Sequence, residues 1–477
     1  MAQNRKQKRS NLAVTIVVGI ILLLAVGVAS VWLLNRPASQ KATTSPAVQA
    51  QALSGTVYDG TMNTLTVETD GGEMYVFSTE DVEIITGSTG IAIGNSVTVY
   101  YEGSLDPAAS VQGVEVLKIE VQDAAQPAPE PDPAALTLEE QAQEILDGMT
   151  LEEKVGQMFL VRCPDSQAAE KVSQYHLGGY ILFGRDFQNS TPEQITQTIA
   201  SYQENAAIPL FIGVDEEGGT VNRVSRYSQY RSQPFASPQQ LFEQGGLAAI
   251  RQDTLEKCEF LAQYGINMNF APVCDVTTDP DAFMYSRTFG QDARHTAAYV
   301  STVVRAMEEQ EMCSVLKHFP GYGSNGDTHT SMITDSRPLE TFEQSDFLPF
   351  ASGIQAGGDV VLVSHNIVSS MDADRPASLS PEVHRILREE LGFHGVIITD
   401  DLYMEGVRQY ASDDQVAVQA VLAGNDLLCC TDFEIQYPAV LNAVQDGTIS
   451  REQIDQSVLR ILMLKLEKGI IPASNEI

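Results

Sequence analysis

Residues 395–404 read GVIITDDLYM: a glycine, four β-branched residues, two aspartates and a short polar-apolar tail. Four β-branched residues in a row predict a strand buried on both faces, and that kind of strand belongs to a parallel sheet. Seven further segments share the form: VGQMFLV (155–161), GGYILFG (178–184), PLFIGVD (209–215), INMNFAPV (266–273), CSVLKHF (313–319), DVVLVSH (359–365) and NDLLCC (425–430). Amphipathic helical stretches separate them. Strand alternating with helix implies a parallel sheet, and eight units over residues 139–473 predict an α/β fold, a (β/α)8 TIM-type barrel. A doubly wound sheet is the alternative, and the count of eight favours the barrel.

A barrel of this kind carries its active site at the C-terminal ends of its strands. The strand list thereby becomes a candidate list. The third strand ends at Asp215, followed by EEGG. Past the fourth come Pro272 and Asp275, then a loop with Arg287. The fifth ends in Lys317-His318, the sixth in Ser364-His365, the seventh in Asp400-Asp401. Side chains of adjacent residues point apart, so one aspartate of the last pair can face the barrel axis while the other caps the next helix. Two capping aspartates are the competing reading, and a strand-end carboxylate is also where a barrel glycosidase would keep its nucleophile.

The chain has seven histidines, and two of them fall in KHFPGYGSNGDTHTSM, residues 317–332. Pro320 and the glycines rule out a helix there. Asp327 and His329, two apart, share one side of an extended or turning loop, where a carboxylate supports a protonated imidazole. That pairing suits a general acid and base. A loop-ordering hydrogen bond is the rival reading, and metal binding a third, unaccompanied by HExxH or comparable spacing.

The N-terminus has a different character. Leu12 to Leu34 is uncharged and long enough to cross a bilayer, and Arg5, Lys6, Lys8 and Arg9 precede it. The expectation is a cytoplasmic basic tail (1–11), a single transmembrane anchor (12–34) and everything beyond outside the cytoplasm; a cleaved signal peptide is the alternative. An Ala/Ser/Thr/Gln-rich spacer (35–53) leads into period-two alternation from 54 to 122, predicting a small all-β barrel or sandwich. A Pro-rich acidic linker (123–138) comes after it. A net charge of −34 sets the chain against nucleic acid as a partner. Cys163, Cys258, Cys274, Cys313, Cys429 and Cys430 form no CxxC pair and read as buried free thiols. Oligomeric state is not legible.

Taken together, VDEEGGTVNRV, GINMNFAPVCDV, SRTFG, KHFPGYG with DTH following, PASLSPEV, LGFHGVIITDDLYMEG and AGNDLLCC resemble the barrel domain of glycoside hydrolase family 3, in its β-N-acetylglucosaminidase branch. The resemblance implies a retaining mechanism through a covalent glycosyl-enzyme; no cofactor and no metal is expected. Asp400 matches the nucleophile, His329 the acid/base and Asp327 its dyad partner. Asp215, Arg287, Lys317 and His318 match residues that hold the sugar hydroxyls, and Met404 one that packs nearby. Two departures stand out: Tyr322 replaces the histidine of the common KHFPGHG, and the gap from Gly323 to Asp327 is one residue short. The expected function is a membrane-anchored, extracytoplasmic exo-β-N-acetylglucosaminidase acting on cell-wall fragments or related glycans. A β-glucosidase or β-xylosidase of the same family and an inactive glycan-binding protein are the other readings, and phosphorolysis in place of hydrolysis stays open.

Overall fold

The computed structural model describes residues 51–472 except 61–62, 70–72, 80–81, 87–90, 92, 106–108, 110, 123–135 and 324–331. The expected anchor at 12–34, the core of the Pro-rich linker and the Asp327–His329 pair therefore lie outside the described residues. Among those described, no helix is long and apolar enough to cross a membrane.

The alternating segment forms β1 (Gln51–Gly60), β2 (Thr64–Glu68), β3 (Met74–Ser78), β4 (Glu83–Ile85), β5 (Ser96–Glu102) and β6 (Glu115–Gln122). They make one sheet in the order β3-β2-β1-β5-β6-β4, antiparallel except where β4 lies beside β6. Tyr75 and Phe77 from one end of that order and Ile84 from the other meet in a single cluster with Val57, Val99 and Ile119. One sheet thus curls over its own core, and among the described residues no second sheet faces it.

The barrel strands fall where the apolar runs placed them: β7 (Phe159–Arg162), β8 (Gly179–Leu182), β9 (Phe211–Val214), β10 (Met268–Asn269), β11 (Cys313–Phe319), β13 (Val360–Val363), β15 (Val396–Thr399) and β16 (Leu428–Cys430). Their order is β15-β13-β11-β10-β9-β8-β7-β16, all parallel, and one bridge from Ile398 to Leu427 brings the two ends together. The ring is nearly closed. A short pair outside it, β12 (Thr334–Asp335) with β14 (Ile367–Val368), packs the segments that come after β11 and β13. Val396, Ile397, Ile398 and Thr399 are all buried, as double-sided cover requires. Helices start on Thr-x-x-Glu capping boxes at Thr137–Glu140 and Thr150–Glu153, which satisfy otherwise orphaned N–H groups.

The curled sheet is fastened to the barrel's outer helices. Val76 joins the barrel core. Arg305, on the helix Ala293–Glu308, pairs with buried Asp59, and the Arg251 guanidinium lies 5.2 Å from the Tyr58 ring centre while pairing with Glu309 at 2.8 Å. All six cysteines are buried and free, as read from their apolar settings.

Candidate active site

The ends of the strands open into a cavity of about 610 Å³ lined by Asp215, Arg287, Lys317, His318, Asp400 and Met404, with Arg162, Arg223 and Phe270 among its other walls. Six of the eight residues singled out in the sequence therefore meet in one place. The other two, Asp327 and His329, lie outside the described residues.

Lys317 is the centre of the charge pattern. The backbone register of β11 shifts between Leu316 and Phe319, and the Lys317 side chain emerges there, 2% exposed. Its Nζ donates to Asp215 Oδ1 at 2.7 Å and pairs with Glu217 Oε1 at 2.7 Å. Arg287 grips the same Glu217 with two donors, Nη2 at 2.6 Å and Nε at 3.0 Å. Arg223 approaches Asp215 at 3.4 Å. Burial alone would raise both carboxyls. The neighbouring cations outweigh it, Lys317 and Arg223 for Asp215, Lys317 and Arg287 for Glu217, so both are held below the usual carboxylate range. The cavity wall is therefore a fixed set of charges, ready to accept and donate hydrogen bonds to hydroxyl groups.

His318 is held from behind. Its Nδ1 donates to Asp275 Oδ2 at 2.7 Å, which leaves Nε2 as the acceptor facing Arg287 Nη2 at 3.4 Å. Asp275 also receives the backbone N–H of Tyr322 at 2.8 Å. Tyr322 is buried, and its ring stands edge-on to His318 at 5.2 Å, in a small cluster with Val273 and Met284. The departure from the common KHFPGHG thus has a concrete place: an aromatic wall that limits how the His318 ring can turn.

The two aspartates of the seventh strand divide their work. Asp400 lines the cavity, and its Oδ1 accepts the Asp401 N–H at 2.8 Å. Asp401 also borders the cavity, but its carboxylate is occupied by the Thr431 hydroxyl at 2.8 Å and the Tyr403 N–H at 3.0 Å. It caps the turn to Met404; the helix Glu405–Arg408 starts without a side-chain cap. Burial raises its carboxyl above the ordinary range. Behind it, buried His365 donates from Nε2 to the Asp401 carbonyl at 3.0 Å.

Sequence reasoning missed Glu217, the partner of both central cations. Glu216 beside it is spent on the backbone, accepting N–H groups of Arg223, Val224 and Ser225. The available signal was the acidic run itself: Asp215-Glu216-Glu217 poses the same question of alternating direction as Asp400-Asp401.

Residues 150–464 match the glycosyl hydrolase family 3 N terminal domain. A beta-hexosaminidase from Xylella fastidiosa is 35% identical over 249 residues, covering 50% of this chain and 70% of that one. A beta-hexosaminidase from Mycobacterium tuberculosis is 30% identical over 327 residues, covering 66% and 82%. Among solved structures, a family 3 beta-N-acetylglucosaminidase from Paenibacillus superposes with a TM-score of 0.64 at 31% identity, covering 68% of this chain and 63% of that one. The chain belongs to glycosyl hydrolase family 3. Within it, these relatives mark a glycoside hydrolase of the β-N-acetylhexosaminidase type.

Proposed function

We propose that the chain is a retaining exo-β-N-acetylglucosaminidase that removes terminal N-acetylglucosamine from cell-wall fragments or related glycans. The observation that supports this best is that Asp400 opens into the same cavity as the Lys317–Asp215–Glu217–Arg287 set. A carboxylate aimed into a pocket of fixed donors and acceptors suits attack on an anomeric carbon while the ring hydroxyls are gripped. In this reading Asp215, Arg287, Lys317 and His318 hold the sugar and Met404 packs against it. Asp400 attacks C1 and the leaving oxygen takes a proton from His329, paired with Asp327. Water, deprotonated by His329, then releases the sugar with its configuration kept. Most retaining enzymes use a second carboxylic acid for the proton.

We further propose that residues 12–34 anchor the enzyme in a membrane, with the barrel outside the cytoplasm. Protease added to intact cells should then remove the barrel, and full protection would refute this placement.

The decisive assay compares aryl β-N-acetylglucosaminide with aryl β-glucoside, with and without phosphate. Strong preference for the acetamido sugar, with β-N-acetylglucosamine as first product by NMR, is expected. An α first product would overturn retention. Preference for glucoside would overturn the substrate, and a phosphate-dependent rate with sugar phosphate formed would replace hydrolysis by phosphorolysis.

A further inference from the structure

Asp401 is held at every polar group it has. Its N–H donates to Asp400 Oδ1 at 2.8 Å, and its carboxylate takes the Thr431 hydroxyl at 2.8 Å and the Tyr403 N–H at 3.0 Å. Its carbonyl accepts twice, from the Met404 N–H at 2.9 Å and from His365 Nε2 at 3.0 Å. The two side chains that grip it from outside the turn come from opposite sides. His365 follows β13, where Val363 pairs with Thr399, so the residues two further on, His365 and Asp401, come level. Thr431 follows β16, which the Ile398–Leu427 bridge brings beside β15.

The His365 ring is itself fixed. It is fully buried and stands off the cavity wall. A carbonyl only accepts, so Nε2 carries the proton, and Nδ1 of the neutral ring accepts from the Ser378 hydroxyl at 2.7 Å. Ser378 belongs to the single turn Ala377–Leu379, which clasps the strand end on both sides of the ring. The Ser378 N–H donates to the Ser364 carbonyl at 2.9 Å, and the Ala377 N–H to the Asn366 carbonyl at 2.9 Å. Buried Asn425 donates to the Ser378 carbonyl at 2.8 Å.

We propose that His365 is a positioning residue for the nucleophile: by fixing the Asp401 carbonyl it holds the residue whose N–H aims the Asp400 carboxylate into the cavity. It touches no substrate. This rests on the reading of Asp400 as nucleophile. Without the His365 bond the carbonyl keeps the Met404 N–H, so the loss falls on direction rather than on an unpaired buried acceptor. Misplacing a reacting group by about 1 Å costs on the order of 100-fold.

The test uses the full chain and a β-configured 5-fluoro-N-acetylglucosaminyl fluoride. A carboxylate oxygen of Asp400 bonds to C1 as fluoride leaves with the bonding pair. The ring fluorine slows release, so the glycosyl-enzyme accumulates and is counted by mass spectrometry. Fluoride needs no proton to leave, which makes the readout independent of the acid/base. His365→Leu, of similar size, should lower the maximal trapping rate about 100-fold, while the Ki of free N-acetylglucosamine stays within about twofold. His365→Gln, whose amide can donate to the same carbonyl, should recover at least about tenfold of that loss. A Leu variant within about threefold of the parent, a Gln variant no faster than the Leu one, or a Ki that rises in step with the rate loss would overturn the proposal. Peptide mapping of the parent's adduct separates the two readings. If the label is missing or lies elsewhere than Asp400, the nucleophile reading falls and His365 falls with it; if it lies on Asp400 and His365→Leu does not slow it, only the positioning role falls. Should His365→Leu not fold, Ser378→Ala frees the ring from behind and must show the same slowing at unchanged Ki.

Discussion

The barrel buries ionisable groups at both ends, and two sets of them answer burial in opposite ways. At the mouth, Glu217 is bound by Lys317 and Arg287 together, and Asp215 by Lys317 with Arg223 nearby. Two cations per carboxylate outweigh burial, and the charges are kept. At the foot, where strands begin and the last helix ends, Asp359 pairs with Lys468 at 2.9 Å, yet burial pushes its carboxyl up to about 6. Lys465 is fully buried against neutral partners, Gln157 Oε1 at 2.8 Å and the Gly178 carbonyl at 3.0 Å, and burial brings it down to about 7. Burial alone therefore does not mark an active site. What separates Asp215 and Glu217 from Asp359 and Lys465 is whether enough opposite charge has been gathered to hold ionisation against it.

The sharpest way to break this comparison is at Asp400. Asp400→Asn keeps the shape and removes the nucleophilic charge, so kcat should fall by more than about 10⁴-fold with little change in Tm. Retention of even a tenth of the activity would remove the mouth's claim to be the catalytic end. Glu217→Gln comes next. It takes one carboxylate from between Lys317 and Arg287, and kcat/KM should fall about 10²- to 10³-fold, the scale of losing a preorganised electrostatic partner. Steady-state kinetics with both aryl sugars checks it.

The matching change at the foot is Asp426→Asn. Asp426 is 1% exposed; its Oδ1 takes Arg460 at 2.9 Å and Ser457 at 2.8 Å, and its Oδ2 takes the Ile397 N–H at 2.9 Å and Arg388. Breaking such a buried pair should cost about 3 kcal/mol of stability and leave kcat/KM within about twofold. Denaturant unfolding and kinetics on the same sample separate the two outcomes. A large kinetic defect would mean that mouth and foot are coupled.

The mouth was far more legible in the sequence than the foot, for a geometric reason. Strand-end residues sit beside the apolar runs that announce them, so Asp215, Lys317, His318 and Asp400 could be named from one-dimensional pattern. Glu217 escaped because Glu216 is equally acidic, and only the fold shows which of the two turns to the backbone. The foot joins residues far apart in sequence: Lys465 with Gln157, Lys468 with Asp359, Asp426 with Arg388 and Arg460. No local spacing signals such contacts. The same holds for Asp59 and Arg305, which tie the curled sheet to the barrel. Alternation gave the six β-strands of that sheet their faces but carried nothing about whether one sheet or two would form.

Lys465 gives the smallest and most specific test, through pH. In the unfolded chain its amine titrates near 10.5, and in the folded protein at about 7. Above both values the residue is neutral in either state and costs nothing. As pH falls from about 10.5 to 7 the unfolded chain takes up a proton that the folded protein does not, so stability is lost, and below about 7 the loss is complete. Lys465→Met removes this term at the expense of the two hydrogen bonds, which do not titrate. The stability of the variant relative to the parent should therefore be highest at pH 7 and decline by about 2–3 kcal/mol by pH 9. Other titrations are common to both proteins and cancel in the difference. Paired urea unfolding curves at pH 7, 8 and 9 read it directly. A difference independent of pH would show that Lys465 stays charged where it lies, and that the foot, like the mouth, finds a way to keep its charge.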